Sequence, residues 1–482
     1  MADDPQSTYV SPLSSRNAST EMQEIWSPRR KFTAWRRLWL ALAESQQHLG
    51  LPVTVAQITE LRAAVDLTEE DFVRAAEHER ALRHDVMAHI RALGERAPSA
   101  RGIIHLGATS QDINCNTEIP LLRDALALVC VKAARVIDAL ASFAERWKSL
   151  PCLGYTHFQP AQPTTVGKRA AMWAYDLSLC LERLEGTRDG LRLRGMRGAT
   201  GTQASYLALF GGDAGKVDEL DRLMAEKLGF PPDATYLVVG QTYPRVVDAF
   251  VLSDLAALAA AAHRMCNDLR LLAHRKEVEE PFEAEQVGSS AMPYKRNPMR
   301  CERATGLCRF VMSMAQNALD TAATQWLERT LDDSSNRRLS LPESFLAMDG
   351  ALDLLHNVSA GLIVHEAMIR ASLAAEMPFM AAEELLVEAV KQGGNRQEVH
   401  EAIRKHSQTA ALRVKGEGLS NDLEARLAKE PLLRGVDVGV TMDASRHVGL
   451  APRQVERFLD EVAAPIRRRY AGRLSPPPSL RV

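Results

Sequence analysis

The chain has 482 residues, of which 46% are hydrophobic and 25% charged, a composition that excludes disorder and fibrous structure and allows two to four domains. A formal charge of −2 gives no general attraction to nucleic acid, so an anionic ligand would need a local cluster of Arg and Lys. Aromatic residues are few and alanine is frequent, which favours helices over sheets.

Seven scattered cysteines (115, 130, 152, 180, 266, 301 and 308) include no C-x-x-C pair and read as reduced thiols, not as a disulfide framework or a zinc site. Met1 to Ser11 is polar and acidic, so no secretory signal is expected. The most apolar stretch, Leu255 to Ala262, is too short to span a bilayer. The expectation is a soluble, cytoplasmic chain with no nucleic-acid or membrane partner.

The first 110 residues carry short helical runs broken by Gly and Pro. Longer runs follow, each introduced by proline, which suits the first turn of a helix because its missing N–H would have no partner there. Pro120 is predicted to open a helix that Pro151 closes near Leu150. Residues 170–194 form another, Pro244 opens Arg245 to Arg275, Pro298 opens Met299 to Trp326, and Pro342 opens Glu343 to about His365. Five helices of 20 to 30 residues are well above the usual mean of ~11–12. Alanines such as Ala256, Ala257 and Ala259 to Ala262 would let such helices approach closely in a bundle. A bundle this long in one chain exposes apolar surface, for which oligomerisation is the natural remedy. Beyond residue 365 the runs shorten again, and the tail Ser475-Pro-Pro-Pro-Ser479 is expected to be frayed.

The stretches between the long helices are rich in reactive side chains. Gly288-Ser-Ser-Ala-Met-Pro-Tyr-Lys-Arg-Asn-Pro298 puts hydroxyls, cations and an amide on one loop that ends at a helix N-terminus, where an anion is favoured. Gly154-Tyr-Thr-His-Phe-Gln-Pro-Ala-Gln162 and Gly107-Ala-Thr-Ser-Gln-Asp112 are similar. Arg329 to Arg338 carries three arginines, which suits a nucleotide phosphate, and Trp326 and Leu331 suggest that this turn is packed. Gly211-Gly-Asp-Ala-Gly-Lys216 is one residue short of a phosphate loop, and neither G-x-G-x-x-G after a strand nor H-E-x-x-H occurs. Neither a dinucleotide cofactor nor a metal is expected.

The loop at 288–298 resembles the hallmark of the fumarase/aspartase superfamily. With Leu82-Arg-His-Asp-Val-Met-Ala88, Ile104-His-Leu-Gly-Ala-Thr-Ser110, Gly201-Thr-Gln-Ala-Ser205, Gly240-Gln-Thr-Tyr243 and Glu328 to Arg338, the set is most similar to the adenylosuccinate lyases, over residues 80–340. The resemblance implies an all-α fold of three domains (1–111, 112–364 and 365–482) with a central long-helix bundle. It also implies a homotetramer whose active sites draw loops from three subunits. The implied reaction eliminates fumarate from a succinylated purine nucleotide without a cofactor, with Ser289 as base and His157 as acid. Elimination next to a carboxylate needs such a pair, and groups to hold the doubly charged intermediate.

By the same resemblance Lys295 and Asn297 hold the succinyl carboxylates and Lys295 stabilises the Ser289 oxyanion. Thr109, Ser110 and Thr156 bind carboxylate, and His84, Asp85 and His105 contact or orient substrate. Gln241 meets the base, and Arg16, Arg329, Ser334 and Arg338 hold the ribose phosphate. Glu302 would hydrogen-bond His157, and Arg303 lies nearby. The family's Arg-Tyr near the N-terminus is Arg16-Asn17 here, so an aromatic contact is missing and Asn17→Tyr is expected to restore it. Two other readings stay open. One is a different superfamily enzyme, of the argininosuccinate lyase or carboxymuconate cycloisomerase type, against which the Arg329–Arg338 cluster argues. The other is a structural protein on the same scaffold, against which the presence of both Ser289 and His157 argues.

Overall fold

The computed structural model describes residues 7–283 and 285–480. Its frame is five long helices: Ser110–Arg146, Val166–Asp189, Val246–His274, Met299–Ala323 and Asp332–Gly361. Each packs on the next and the last returns to the first, closing a ring. Polar pairs between them set the directions. Arg183 meets Asp254 at 2.7 Å and Trp173 donates to Asp268 at 2.8 Å, so the second and third helices are antiparallel. Arg300 donates to Asn357 at 2.7 Å and Thr321 to Asn336 at 3.4 Å, so the fourth and fifth are antiparallel. Arg337 pairs with Glu118 at 2.9 Å and Lys132 with Asp353 at 2.8 Å, so the fifth and first run parallel. One end of the bundle therefore gathers residues 110, 246 and 332, and the other gathers 146, 166, 274, 299 and 361.

Two of the helices begin well before the prolines expected to open them. Pro120 and Pro342 lie inside Ser110–Arg146 and Asp332–Gly361. An internal proline costs ~3 kcal/mol, and tertiary bonds to the turns ahead of it offset this. Asn116 donates to Gly195 O at 3.0 Å, Arg245 donates to Asp333 at 2.8 Å and Arg337 to Asp248 at 2.7 Å, all buried.

The apolar stretch at Leu255 to Ala262 proves to be part of a 29-residue helix that contains an 18-residue window of mean hydropathy 1.6, long and apolar enough to cross a membrane. Here it is the central stave of the bundle, with Leu252, Leu255, Ala259, Ala262 and Met265 all buried. Each such buried leucine contributes about 2 kcal/mol. Ala257, Ala260 and Phe250 on its other face stay exposed in the single chain.

The N-terminal region has its own core around Trp35, Trp39, Leu93 and Ile104, to which Met196, Tyr206, Leu220 and Met224 are added from later in the chain. It is clamped by a buried pair, Arg36–Asp71 at 2.8 Å, to which the partly exposed Arg96 adds a bond to Asp71 at 2.6 Å. Burial alone would raise the Asp71 pKa, but Arg36, the Thr68 N–H and Arg96 outweigh it and hold the carboxyl at about 2. A carboxylate depressed in this way stabilises the fold above its unfolded pKa, near 4, and loses that contribution as pH falls through about 2. Asp71→Asn leaves the buried Arg36 guanidinium without its ionised partner and is expected to cost about 3 kcal/mol at pH 7. Unfolding melts of both proteins would show the gap at pH 7 and its narrowing between pH 4 and pH 2.

Residues 382–442 enclose a separate small core around Leu385, Val399, Ile403 and Leu427. The chain then returns to the bundle, where Val455, Phe458, Ile466 and Tyr470 join the central core and Arg467 meets Asp138 at 2.6 Å. Pro478 and Leu480 are half-buried, so this part of the tail lies against the molecule instead of fraying.

Candidate active site

The residues singled out from the sequence fall at the two ends of the bundle. At the first end, Thr109 is the N-cap of Ser110–Arg146 and its N–H donates to Asp112 at 2.8 Å. Ser110 Oγ lies 3.3 Å from His84 Nε2. Because His84 Nδ1 accepts the Met87 N–H at 3.3 Å, the neutral ring carries its proton on Nε2 and donates to that serine. Asp85 receives Arg338 at 2.8 Å; burial works against its ionisation, but Arg338 and the Val86 N–H hold its pKa below the ordinary carboxylate range. His105, in the left-handed region at φ 70°, accepts Trp39 Nε1–H on Nδ1 at 3.2 Å. Burial lowers its pKa to about 4, so it is neutral at pH 7 with Nε2 as donor.

Beside these groups is a cleft of about 190 Å³ lined by Lys31, Gln111, Arg245, Arg329, Ser334 and Arg338, among others. Burial lowers the Arg329 pKa, its Nη1 and that of Arg245 are buried without a hydrogen-bond partner, and the cleft's concentration of Arg and Lys side chains suits an anion. Ser334 and Arg338 lie on the helix Asp332–Gly361, not on a loop, and Arg337 is structural, committed to Asp248 and Glu118. Gln241 donates to Ala199 O at 3.0 Å, and its N–H reaches Glu328 O at 2.9 Å, which sets it beside Arg329. Trp326 and Leu331 are exposed, at 74% and 72%, contrary to the packed turn expected. Lys31 arrives from the distant helix Pro28–His48 with no motif around it, while Arg245 follows the Gly240–Tyr243 motif as the N-cap of Val246–His274, and that proximity is the signal that could have found it. Gly211 and Gly212 form the turn before Asp213, which caps Ala214–Lys227 through the Lys216 N–H, so that motif serves a helix start.

Ser289 is at the opposite end, on the loop leading into Met299–Ala323. The loop doubles back so tightly that a Cβ on Gly288 would lie 2.1 Å from Lys295 O, which only glycine permits. Asn297 Nδ2 closes its base on Gly288 O at 2.7 Å, so half of that amide is committed to the loop and not to a carboxylate. Ser289 Oγ accepts the Met292 N–H at 3.1 Å, a donor of the kind that stabilises an alkoxide. Among the described residues no hydrogen bond joins Lys295 to Ser289, and the lysine is exposed.

His157 stands at the tip of a hairpin absent from the sequence reading, Pro151–Thr156 paired antiparallel with Gln159–Thr165. The prolines at 160 and 163 disguised the second strand. His157 and Phe158 form the two-residue turn, both left-handed at φ 54° and 58°, and Thr156 ends the first strand. Tyr155 donates to Glu277 at 3.2 Å, tying the hairpin to the segment that leads into the Ser289 loop. Glu302 does not hydrogen-bond His157 within the chain; its nearest cation is Arg270 at 3.7 Å. The histidine tip and the Ser289 loop thus share one end of the bundle, and Thr109 lies at the other. The connecting 37-residue helix spans about 55 Å.

Arg16 lies near the second end. Gly350 lets its segment approach, since a Cβ there would be 2.8 Å from Asn17 O. Arg303 Nε donates to Asn17 Oδ1 at 2.8 Å and its Nη2 to Arg16 O at 2.6 Å, while Asn17 Nδ2 reaches Pro12 O at 2.8 Å. Asn17 is therefore a clasp for Arg303, which reverses the expectation for its replacement. Asn17→Tyr is expected to remove one of the hydrogen bonds that hold Arg303 and raise KM about fivefold, one hydrogen bond's worth, with kcat little changed. Initial-rate kinetics would check it, a lowered KM being the contrary result.

A family model described as Lyase matches residues 18–313, and one described as Adenylosuccinate lyase C-terminus matches residues 378–458. An adenylosuccinate lyase of Saccharomyces cerevisiae is 48% identical over 456 residues, 94% of each chain. One of Schistosoma mansoni is 46% identical over 461 residues, 95% of each. Among solved structures, a 3-carboxy-cis,cis-muconate lactonizing enzyme from Pseudomonas putida is similar at a TM-score of 0.82 and 25% identity, covering 94% of this chain and 99% of that one. A fumarate lyase from Mesorhizobium sp. BNC1 shares the fold at 0.78 and 23% identity, over 94% of this chain and 99% of that one. This all-α lyase chain belongs to the adenylosuccinate lyase family.

Proposed function

We propose that the protein splits adenylosuccinate into AMP and fumarate, and that it also releases fumarate from succinylaminoimidazole carboxamide ribotide (SAICAR) to give AICAR, within purine nucleotide biosynthesis. Both substrates carry succinate on a nitrogen. Ser289 Oγ removes the proton from the succinyl carbon next to a carboxylate, the C–N bond breaks, and His157 protonates the departing nitrogen. Lys295 and the hydroxyls of Thr109, Ser110 and Thr156 hold the carboxylates as charge builds up, and Arg16, Arg329, Ser334 and Arg338 hold the phosphate.

The observation that carries this reading is the arginine-lined cleft beside His84 and Ser110, with two buried guanidinium nitrogens lacking partners. A muconate or argininosuccinate substrate has no phosphate for such a cluster to hold. Assembly as a homotetramer with shared sites fits two further features: the long separation of Thr109 from Ser289, and the exposed apolar side chains Phe250, Trp326, Leu327 and Leu331. The seven free thiols suit a cytoplasmic location. The test is fumarate release followed by absorbance, with adenylosuccinate and argininosuccinate as alternative substrates. Release from adenylosuccinate alone supports the reading, and release from argininosuccinate alone overturns it.

A further inference from the structure

The loop carrying Thr109 and Ser110 hangs on one carboxylate. Asp112 is fully buried and accepts five donors. On Oδ2 these are the Thr109 N–H at 2.8 Å and the Tyr206 hydroxyl at 3.2 Å. On Oδ1 they are the Arg197 N–H at 2.9 Å, the Gly198 N–H at 3.1 Å and the Arg194 guanidinium. Arg194 is equally buried, and its other Nη donates to Gly198 O at 2.6 Å and to Gly240 O at 2.9 Å. One ion pair thereby joins three stretches of chain: the loop at 109–112, the segment 194–206 and the residue preceding Gln241. Neighbouring bonds run along the same seams, Ser205 Oγ to Gly107 O at 2.7 Å and Asn116 to Gly195 through both of its amide atoms at 3.0 Å.

Burying a full ion pair is a poor route to stability, since well-packed apolar residues do as well or better. Capping the helix would need only a serine or asparagine, and would not need Arg194 at all. What the pair supplies is a fixed geometry, because each oxygen and each Nη is committed in a set direction. Burial and the adjacent charge keep the Tyr206 phenol well above its ordinary pKa, so it donates at every working pH.

We propose that the Asp112–Arg194 pair is a positioning element that locks Thr109, Ser110 and Gln241 into one register and so sets substrate affinity. This rests on the reading of those three residues as substrate contacts. Neither Asp112 nor Arg194 touches substrate; both act through the loops they hold.

The experiment is steady-state kinetics on Asp112→Asn, Arg194→Lys and Tyr206→Phe beside the unaltered protein, with a thermal melt of each. The Asn variant presents an NH2 where an acceptor is needed, and KM is expected to rise at least about tenfold. The Lys variant keeps the charge but cannot bridge both carbonyls, and KM should rise by roughly three- to tenfold. Tyr206→Phe removes one donor from a nearly unchanged shape, so KM should rise about two- to fivefold while Tm moves little. A purely structural role would lower Tm or the fraction of active enzyme and leave KM alone, and that result overturns the proposal. If the Asn variant does not fold, the other two decide, and a KM unchanged in both is fatal. An unaltered protein that releases no fumarate from adenylosuccinate would sink the functional reading and this inference together; an active one with unmoved variants sinks only this inference.

Discussion

Replacing Ser289 by alanine is expected to reduce kcat by about 10³-fold or more, at the upper part of what a positioned base contributes, while KM shifts by no more than about threefold. Alanine removes the oxygen that takes the proton, but it leaves the arginine cleft, Arg16 and Lys295 in place. The loop should survive the change, because its closure depends on Gly288 and on Asn297 reaching Gly288 O at 2.7 Å, not on the hydroxyl. Only the Met292 N–H loses a partner, and it sits on an exposed loop where water can replace the serine. The measurement is a rate assay together with substrate titration of the variant by calorimetry. A variant keeping more than a few per cent of kcat would show that another group takes the proton.

Mixing two dead enzymes is expected to restore activity. A Ser289→Ala chain lacks the base at one end of the bundle. A chain with both Thr109→Ala and Ser110→Ala lacks the carboxylate hydroxyls at the other, beyond a 37-residue helix about 55 Å long. If sites are built between subunits, random reassembly gives intact sites in about a quarter of positions. Co-refolded mixtures should recover activity near that fraction, whereas each variant refolded alone should not. No recovery, with mixed tetramers verified by native mass spectrometry, would place both loops in one chain's site. His157 is less informative as a partner for Ser289, because the structure puts both at the same end, linked through Tyr155 and Glu277.

The long helices were legible in the sequence because their apolar periodicity runs for many turns and their composition is rich in alanine. Their starts were less so. Pro120 and Pro342 look like first-turn prolines, and only the buried bonds of Asn116, Asp333 and Arg337 to other segments show why helix continues ahead of them. Those bonds join residues far apart in the chain, and no local pattern announces them. The site followed the same division. Ser289, His157, Thr109, Ser110 and Arg338 sit in dense motifs that single them out in the sequence. Lys31 lines the cleft with Arg329 and Arg338 from unremarkable helical surroundings, and Arg245 lines it from just beyond the Gly240–Tyr243 motif. In the sequence Asn17 looks like a missing aromatic, because its bond to Arg303 spans 286 positions. The motif places Glu302 one turn beyond the Ser289 loop, and within the chain its nearest cation is Arg270 at 3.7 Å.

The turn at the hairpin tip bears on how this protein could be engineered. Two consecutive left-handed residues suit Asn-Gly, the usual occupant of such a turn. Holding His157 and Phe158 at positive φ costs ~1–2 kcal/mol each. A screen that ranks variants by melting temperature alone will therefore enrich Asn-Gly at positions 157 and 158, and every clone it enriches there will have lost the imidazole. Thermostability campaigns on this scaffold need a turnover gate at that turn, and the rigidity they seek is better drawn from the N-terminal region.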